Sequence, residues 1–199
     1  ERYVPYSRQN SSKPLEIITQ AFSVLGFNQC SLAKYFFIVA SSNNKQPACS
    51  EVEEYINYVL ERVDWTRDLH FQTKISMDTL DYSGDGINSG SKLIVAVNSC
   101  KRRSLDSFLP EGFSLPNGFS DPKFIANGIL ALSANKFVSY EKTKEEINKL
   151  CEILSYKNLD HVPLIVVVDD SFFVSKKYDN FLWVTFTRSN PDSDIYGID

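Results

Sequence analysis

The residues able to do chemistry in this sequence are few, and their spacing restricts what that chemistry can be. Asp169 and Asp170 follow the apolar run Pro163 to Val168, at the carboxyl end of a buried strand, where α/β sheets usually keep ligands and metals. They read either as acids for a divalent ion or a phosphate, or as loop-closing and helix-capping groups. Capping is the better supported reading, because spacing fixes no third carboxylate and the matching position after the earlier apolar run is Ala40-Ser41-Ser42. Asp81-Tyr-Ser83-Gly-Asp85-Gly86 imitates the start of a calcium loop, with oxygen ligands at positions 1, 3 and 5 and glycine at 6. The twelfth position, a bidentate glutamate in such loops, is Lys92, which disfavours calcium. Gly84, Gly86, Gly90, Ser91 and Lys92 hold phosphate-loop ingredients in the wrong order, and Lys92 opens a strand where a helix is required. A plain connection, or a glycine-rich turn whose amides and lysine meet an anion, are the readings left.

His70 and His161 stand alone, with no serine, aspartate or cysteine partner implied by spacing, so each is expected to be a satisfied surface or core histidine. No serine sits in a G-x-S-x-G elbow. Cys30, Cys49, Cys100 and Cys151 form no C-x-x-C pair and have no histidine at metal spacing. That argues against zinc and for buried, reduced thiols in a cytosolic protein. The chain thus offers no self-contained catalytic set and no metal site. Its 21 basic and 25 acidic side chains leave a formal charge of −4, so nucleic acid is not an expected partner. The one basic cluster, Lys101-Arg102-Arg103, reads as a solvated loop or a short anion contact. No apolar run approaches the roughly 20 residues of a membrane span.

Positioning these residues requires a folded core, which 199 residues with 43% hydrophobic side chains can supply as a single domain. Residues 14 to 26 place Leu15, Ile17, Ile18, Ala21, Phe22 and Leu25 on one helical stripe, from Pro14 to a stop at Gly26. Lys34 to Ala40 and Pro163 to Val168 are apolar throughout and read as central strands buried on both faces. Ser50 with Glu53 forms a capping box for a helix through Arg62. Strands are expected at Leu69 to Ser76, Lys92 to Val97 and Gly128 to Leu132, with a helix at Glu141 to Ser155 and a long irregular excursion from Lys101 to Asn127.

An internal repeat assigns the tail. Arg62 to Asp68 lies over Arg188 to Asp194 at a constant offset of 126 residues (62 to 188, 68 to 194), and Tyr55-Ile56 meets Phe181-Leu182 at the same offset. Residues 179 to 188 are therefore expected to be helical. The fold class is α/β: a layered mixed sheet flanked by helices, built from two similar strand-helix units at about 30–75 and 160–199.

Pro163-Leu-Ile-Val-Val-Val-Asp-Asp170, followed by Thr187-Arg188, Pro191 and Asp194, resembles the UbiD family of decarboxylases, the 3-octaprenyl-4-hydroxybenzoate carboxy-lyase type. Lys34 to Val39, Arg62 to Asp68 and Gly90-Ser91-Lys92 resemble it too, as does the opening Arg2-Tyr-Val-Pro-Tyr6-Ser-Arg8. The first unit departs from the pattern at Glu61, Trp65 and Ala40-Ser41. The likeness is densest over residues 27 to 98 and 160 to 197. It implies that residues 1–199 are a single α/β domain, the C-terminal domain of a longer cytoplasmic chain, without the flavin-binding split barrel. It also implies non-oxidative decarboxylation of an aromatic or unsaturated carboxylic acid with prenylated FMN, a divalent metal (Mn or Mg) and potassium. The implied partners are the chain's own N-terminal flavin-binding domain and further copies in a homo-oligomer. No residue here inherits a catalytic role, and none of the cofactors is expected on this chain alone. Lys34 and Lys92 are candidates for meeting the cofactor phosphate or another anion. Arg62 with Asp68, and Arg188 with Asp194, read as structural supports that fix the loop after each helix. The alternative is a freestanding α/β binding or oligomerisation module without the chemistry.

Overall fold

The computed structural model describes residues 15–40, 46–84 and 86–198. The Arg2 to Arg8 opening, Pro14, Ser41, Ser42 and Asp85 lie outside the described residues. Helix α1 (Leu15–Leu25) buries Ile17, Ala21 and Leu25, and the Gly26 amide closes its end by donating to Phe22 O at 3.1 Å. A 3-10 turn at Asn28–Leu32 leads into β1 (Tyr35–Val39), followed by α2 (Val52–Leu60), β2 (Leu69–Ser76) and β3 (Ser89–Val97). The second half runs β4 (Phe119–Ala126), β5 (Ile129–Ala134), α3 (Tyr140–Ser155), β6 (Leu164–Val168), α4 (Ser171–Ser175), α5 (Tyr178–Arg188) and α6 (Pro191–Asp194). The mixed α/β class is borne out as two three-stranded mixed sheets flanked by helices.

The chain divides into two compact units, with breaks after Arg102, Thr185 and Ile195, so that α5 begins in one and ends in the other. In the first, the sheet order is β1-β3-β2: β1 runs parallel to β3 with Tyr35 opposite Leu93, and β2 is antiparallel to β3. Ile94 and Ala96 of β3 pack with Ile17, Ala21 and Leu25 of α1 on one face. Leu93, Val95 and Val97 pack with Val59 and Val63 on the other. In the second unit the order is β4-β5-β6, with β4 antiparallel and β6 parallel to β5. Leu130 and Leu132 pack there with Leu150 and Leu154 of α3.

Several expectations need correction. The two apolar runs, β1 and β6, are edge strands, and the central positions fall to β3 and β5. Nor are they buried on both faces: every residue of β1 is only half-buried, and Val167 of β6 is 37% exposed, as an edge position with one hydrogen-bonded neighbour allows. The Ser50–Glu53 capping box does not form, because α2 starts after Glu51, whose carboxylate accepts from Ala48 N at 3.2 Å. The excursion from Lys101 is irregular only to Gly118, where β4 begins its hairpin with β5. Cys30, Cys49 and Cys100 are exposed free thiols, and Cys151 is half-buried.

Candidate functional site

A polar cluster of the first unit gathers near the starts of β1 and β3. Lys34 precedes β1 and is tied into the sheet by its carbonyl, which accepts from Leu93 N at 2.9 Å. Its ammonium meets Asp81 Oδ2 at 3.0 Å, Ser83 Oγ at 2.8 Å and Thr187 O, at the end of α5, at 3.2 Å. All three donors are thereby used. Asp81 Oδ1 accepts from the Ser83 amide at 2.9 Å and its hydroxyl at 2.6 Å. Burial pushes this carboxyl up, but the two Ser83 bonds and Lys34 outweigh it and hold it below its ordinary range. Next door the Tyr35 hydroxyl lies 2.5 Å from Ser189 Oγ, and the Tyr35 ring packs edge-on against Phe186 with 5.0 Å between centroids. Burial, reinforced by the negative charges of Asp194 and Asp81 against the Ser189 bond, pushes this phenol up to about 12. It stays protonated at neutral pH.

The hairpin joining β2 to β3 carries the glycine-rich stretch and makes no helix behind it, which leaves the connection reading of that motif. A Cβ on Gly84 would stand 1.8 Å from Ser89 O, so only glycine lets the turn close. Ser91, fully buried at the start of β3, is gripped by Asn190. Its amide and its hydroxyl donate to Asn190 Oδ1 at 3.1 and 2.7 Å, and the hydroxyl accepts from Asp192 N at 2.9 Å.

The loops after α2 and α5 share their closing hydrogen bond. Asp68 Oδ2 accepts from Asp64 N at 2.9 Å, and Asp194 Oδ2 accepts from Asn190 N at 2.7 Å, at the offset of 126 that separates the two motifs. Arg67 Nε donates to Asp68 Oδ1 at 2.6 Å; the corresponding Ser193 hydroxyl donates to Asp194 Oδ1 at 3.1 Å. The guanidinium on Asp68 is that of Arg67. Arg62 turns back on its own helix, donating to Tyr58 O and Glu61 and lying 3.5 Å above the Tyr58 ring. Arg188 closes α5 and is the basic residue of its last turn. Sequence reasoning missed Asn190 as the residue holding Ser91. The repeat pointed to it, since Asn190 overlies Asp64, another short side chain that bonds within its own loop.

Lys92 is a different kind of lysine. It is 4% exposed, stands opposite Gln72 of β2, and hydrogen-bonds to the carbonyl of Ser31. Burial pushes its ammonium below the ordinary lysine range. It lines a cleft of about 370 Å³ with Phe22, Leu25, Gly26, Ser31, Leu32, Gln72, Ile75, Ser76 and Met77. The structure therefore gives Lys34 and Lys92 separate acceptors: the first is neutralised by Asp81, while the second, among the described residues, meets a neutral carbonyl.

Of the remaining candidates, Asp170, His161, Lys101 and Arg102 have structural partners. Asp170 caps α4, its Oδ1 accepting from Phe173 N at 3.0 Å. His161 stacks on Phe108 and its Nε2 lies 3.0 Å from Phe108 O. His70 departs from expectation, because its buried Nε2 has no hydrogen-bond partner. Lys101 and Arg102 are pinned to Glu61 and Asp64 at 2.6 and 2.7 Å. Among the described residues no group of three or more His, Cys, Asp or Glu could hold a metal ion, and no helix is long and apolar enough to cross a membrane.

Residues 7–97 match the model of the 3-octaprenyl-4-hydroxybenzoate carboxy-lyase C-terminal domain, which bears out the resemblance over that stretch. The chain is 33% identical over 181 residues to an uncharacterized protein of Chlamydia trachomatis, covering 91% of the chain and 29% of the relative. It is 27% identical over 186 residues to a Chlamydia pneumoniae protein whose name makes it one of the subunits of a 4-hydroxybenzoate decarboxylase, with 92% of the chain and 29% of that relative covered. The chain thus spans about 29% of the length of the curated relatives it matches. No solved structure matches it.

Proposed function

We propose that this chain is the architectural part of a UbiD-type decarboxylase acting on an aromatic or unsaturated carboxylic acid, on the ground that residues 7–97 match the model of the 3-octaprenyl-4-hydroxybenzoate carboxy-lyase C-terminal domain. The family match carries the reading, and the relative named for 4-hydroxybenzoate decarboxylase supports the substrate class. The relatives' greater length leaves room for a flavin-binding domain beyond the residues matched here. In this proposal the prenylated FMN, divalent metal and potassium belong to the larger, cytoplasmic, homo-oligomeric enzyme.

The described residues do not fit a metal site, so no step is assigned to a metal here. They do fit an anion. Lys92 has ammonium donors beyond the one given to Ser31 O, whereas Lys34 has none to spare. Lys92 is accordingly the residue of this chain offered to the cofactor phosphate. When bound, the flavin would supply the electron sink that decarboxylation needs. This chain's own share is to hold that anion, and to keep the starts of β1 and β3 in register through Lys34–Asp81 and Ser91–Asn190.

The test compares the 199-residue chain with a protein of the relatives' full length, each supplied with prenylated FMN, Mn²⁺ and potassium, by carbon dioxide release from 4-hydroxybenzoate. Turnover by the longer protein alone is expected. Turnover by the 199-residue chain would mean that a catalytic set lies within it, and none by either would remove the carboxy-lyase reading.

A further inference from the structure

A buried ammonium needs a compensating charge, because the loss of its hydration is only partly made good by one neutral carbonyl. Lys92 has no such partner among its described contacts: its hydrogen bond goes to Ser31 O, and its cross-strand neighbour is the uncharged Gln72. Every acidic side chain of its unit that forms a described ion pair does so elsewhere, Asp81 with Lys34, Asp68 with Arg67, Glu61 with Arg62 and Lys101, Asp64 with Arg102. The cleft above Lys92 also has an apolar side, opposite the polar Ser31, Gln72 and Ser76. Phe22 and Leu25 come from α1, Leu32 from the 3-10 turn, Ile75 from β2 and Met77 from the residue after it. Leu32 and Phe22 are 47% and 40% exposed, an apolar rim that water must otherwise cover. A bare phosphate would satisfy Lys92 and leave this rim wet. A ligand with an anionic head and an apolar body would satisfy both.

We propose that the cleft between α1, the 3-10 turn and β2 binds an amphipathic anion, its carboxylate or phosphate on Lys92 Nζ and its apolar body against Phe22, Leu32, Ile75 and Met77. This rests on Lys92 as the anion contact of the carboxy-lyase reading and deepens it by naming the ligand class. A fatty carboxylate and a flavin phosphate share that chemistry, and separate probes distinguish them.

The experiment titrates the full 199-residue chain by calorimetry with octanoate, 1-octanol, inorganic phosphate and FMN. Octanoate is expected to bind at least tenfold more tightly than either octanol or phosphate. Lys92→Met is expected to weaken octanoate at least tenfold. Two further variants guard against a misfolded Lys92→Met. Gln72→Glu supplies an internal counter-ion opposite Lys92, and Leu32→Asp places a repelling charge on an exposed wall position; each should weaken octanoate by a similar factor. Phosphate binding as tightly as octanoate would overturn the amphipathic class and leave a simple anion site. Octanoate affinity unchanged in Lys92→Met would overturn the site itself. FMN binding that Lys92→Met abolishes, whatever octanoate does, bears on the cofactor reading alone, so the two proposals fail separately.

Discussion

At the scale of single residues, the Lys34–Asp81 pair and His70 respond to pH in predictable ways. The Asp81 carboxyl is held below its ordinary range in the folded protein. Its contribution to stability is complete above the ordinary carboxylate range and is lost as pH falls through about 4 toward the lowered folded value. Thermal melts should show wild type more stable than Asp81→Asn at neutral pH, by about 1–3 kcal/mol for hydrogen bonds to a charged group, with the gap closing in acid. His70 works through burial, which lowers its imidazole against the pull of Asp68. The folded state takes up this proton less readily than the unfolded one, so stability is constant above the ordinary histidine range and declines as pH drops through about 6.5. His70→Phe should flatten that decline; a melting temperature falling as steeply as wild type between about pH 7 and 5.5 would assign the decline to other groups.

The informative elements are the loops that close α2 and α5. Both use an aspartate four residues after the loop's first amide, and both are built from a short local sequence that folds the same way twice. Local side-chain-to-backbone bonds of this sort depend on a few consecutive residues, so repetition in sequence becomes repetition in geometry. Asp68→Ala and Asp194→Ala should each cost about 1–3 kcal/mol, and amide exchange should speed up at Asp64 and Asn190 respectively. The β2–β3 hairpin gives a sharper contrast. A Cβ at Gly84 would collide with Ser89 O, while one at Gly86 would meet nothing within 4 Å. Gly84→Ala should therefore destabilise by about 1–3 kcal/mol or more and Gly86→Ala far less. Equal melts for the two variants would show that the turn can rearrange.

For the whole molecule, the mixed α/β class takes the form of two compact units, each with its own three-stranded mixed sheet and core. Under the carboxy-lyase reading, native mass spectrometry of the purified chain with flavin mononucleotide and divalent ions should give a flavin-free species. One flavin per chain would put the cofactor site within these residues and make Lys92 the leading contact. Most helix and strand placements and the α/β class were legible in the sequence, because hydrophobic period and turn residues act over a few positions, but β4 and the short α4 were not. The helix at Tyr178–Arg188, ambiguous by propensity, was legible through the repeat. Edge and centre were not, since the apolar runs of β1 and β6 read as doubly buried in sequence, whereas in the fold the burial falls to β3 and β5. Nor were the partners of the two lysines. Lys34 and Lys92 look alike in sequence, each at the start of a strand, yet one meets a carboxylate 47 positions away and the other a carbonyl 61 positions away. Which lysine meets a carboxylate and which a neutral carbonyl depends on what the chain brings back across those distances, and only the tertiary structure decides that.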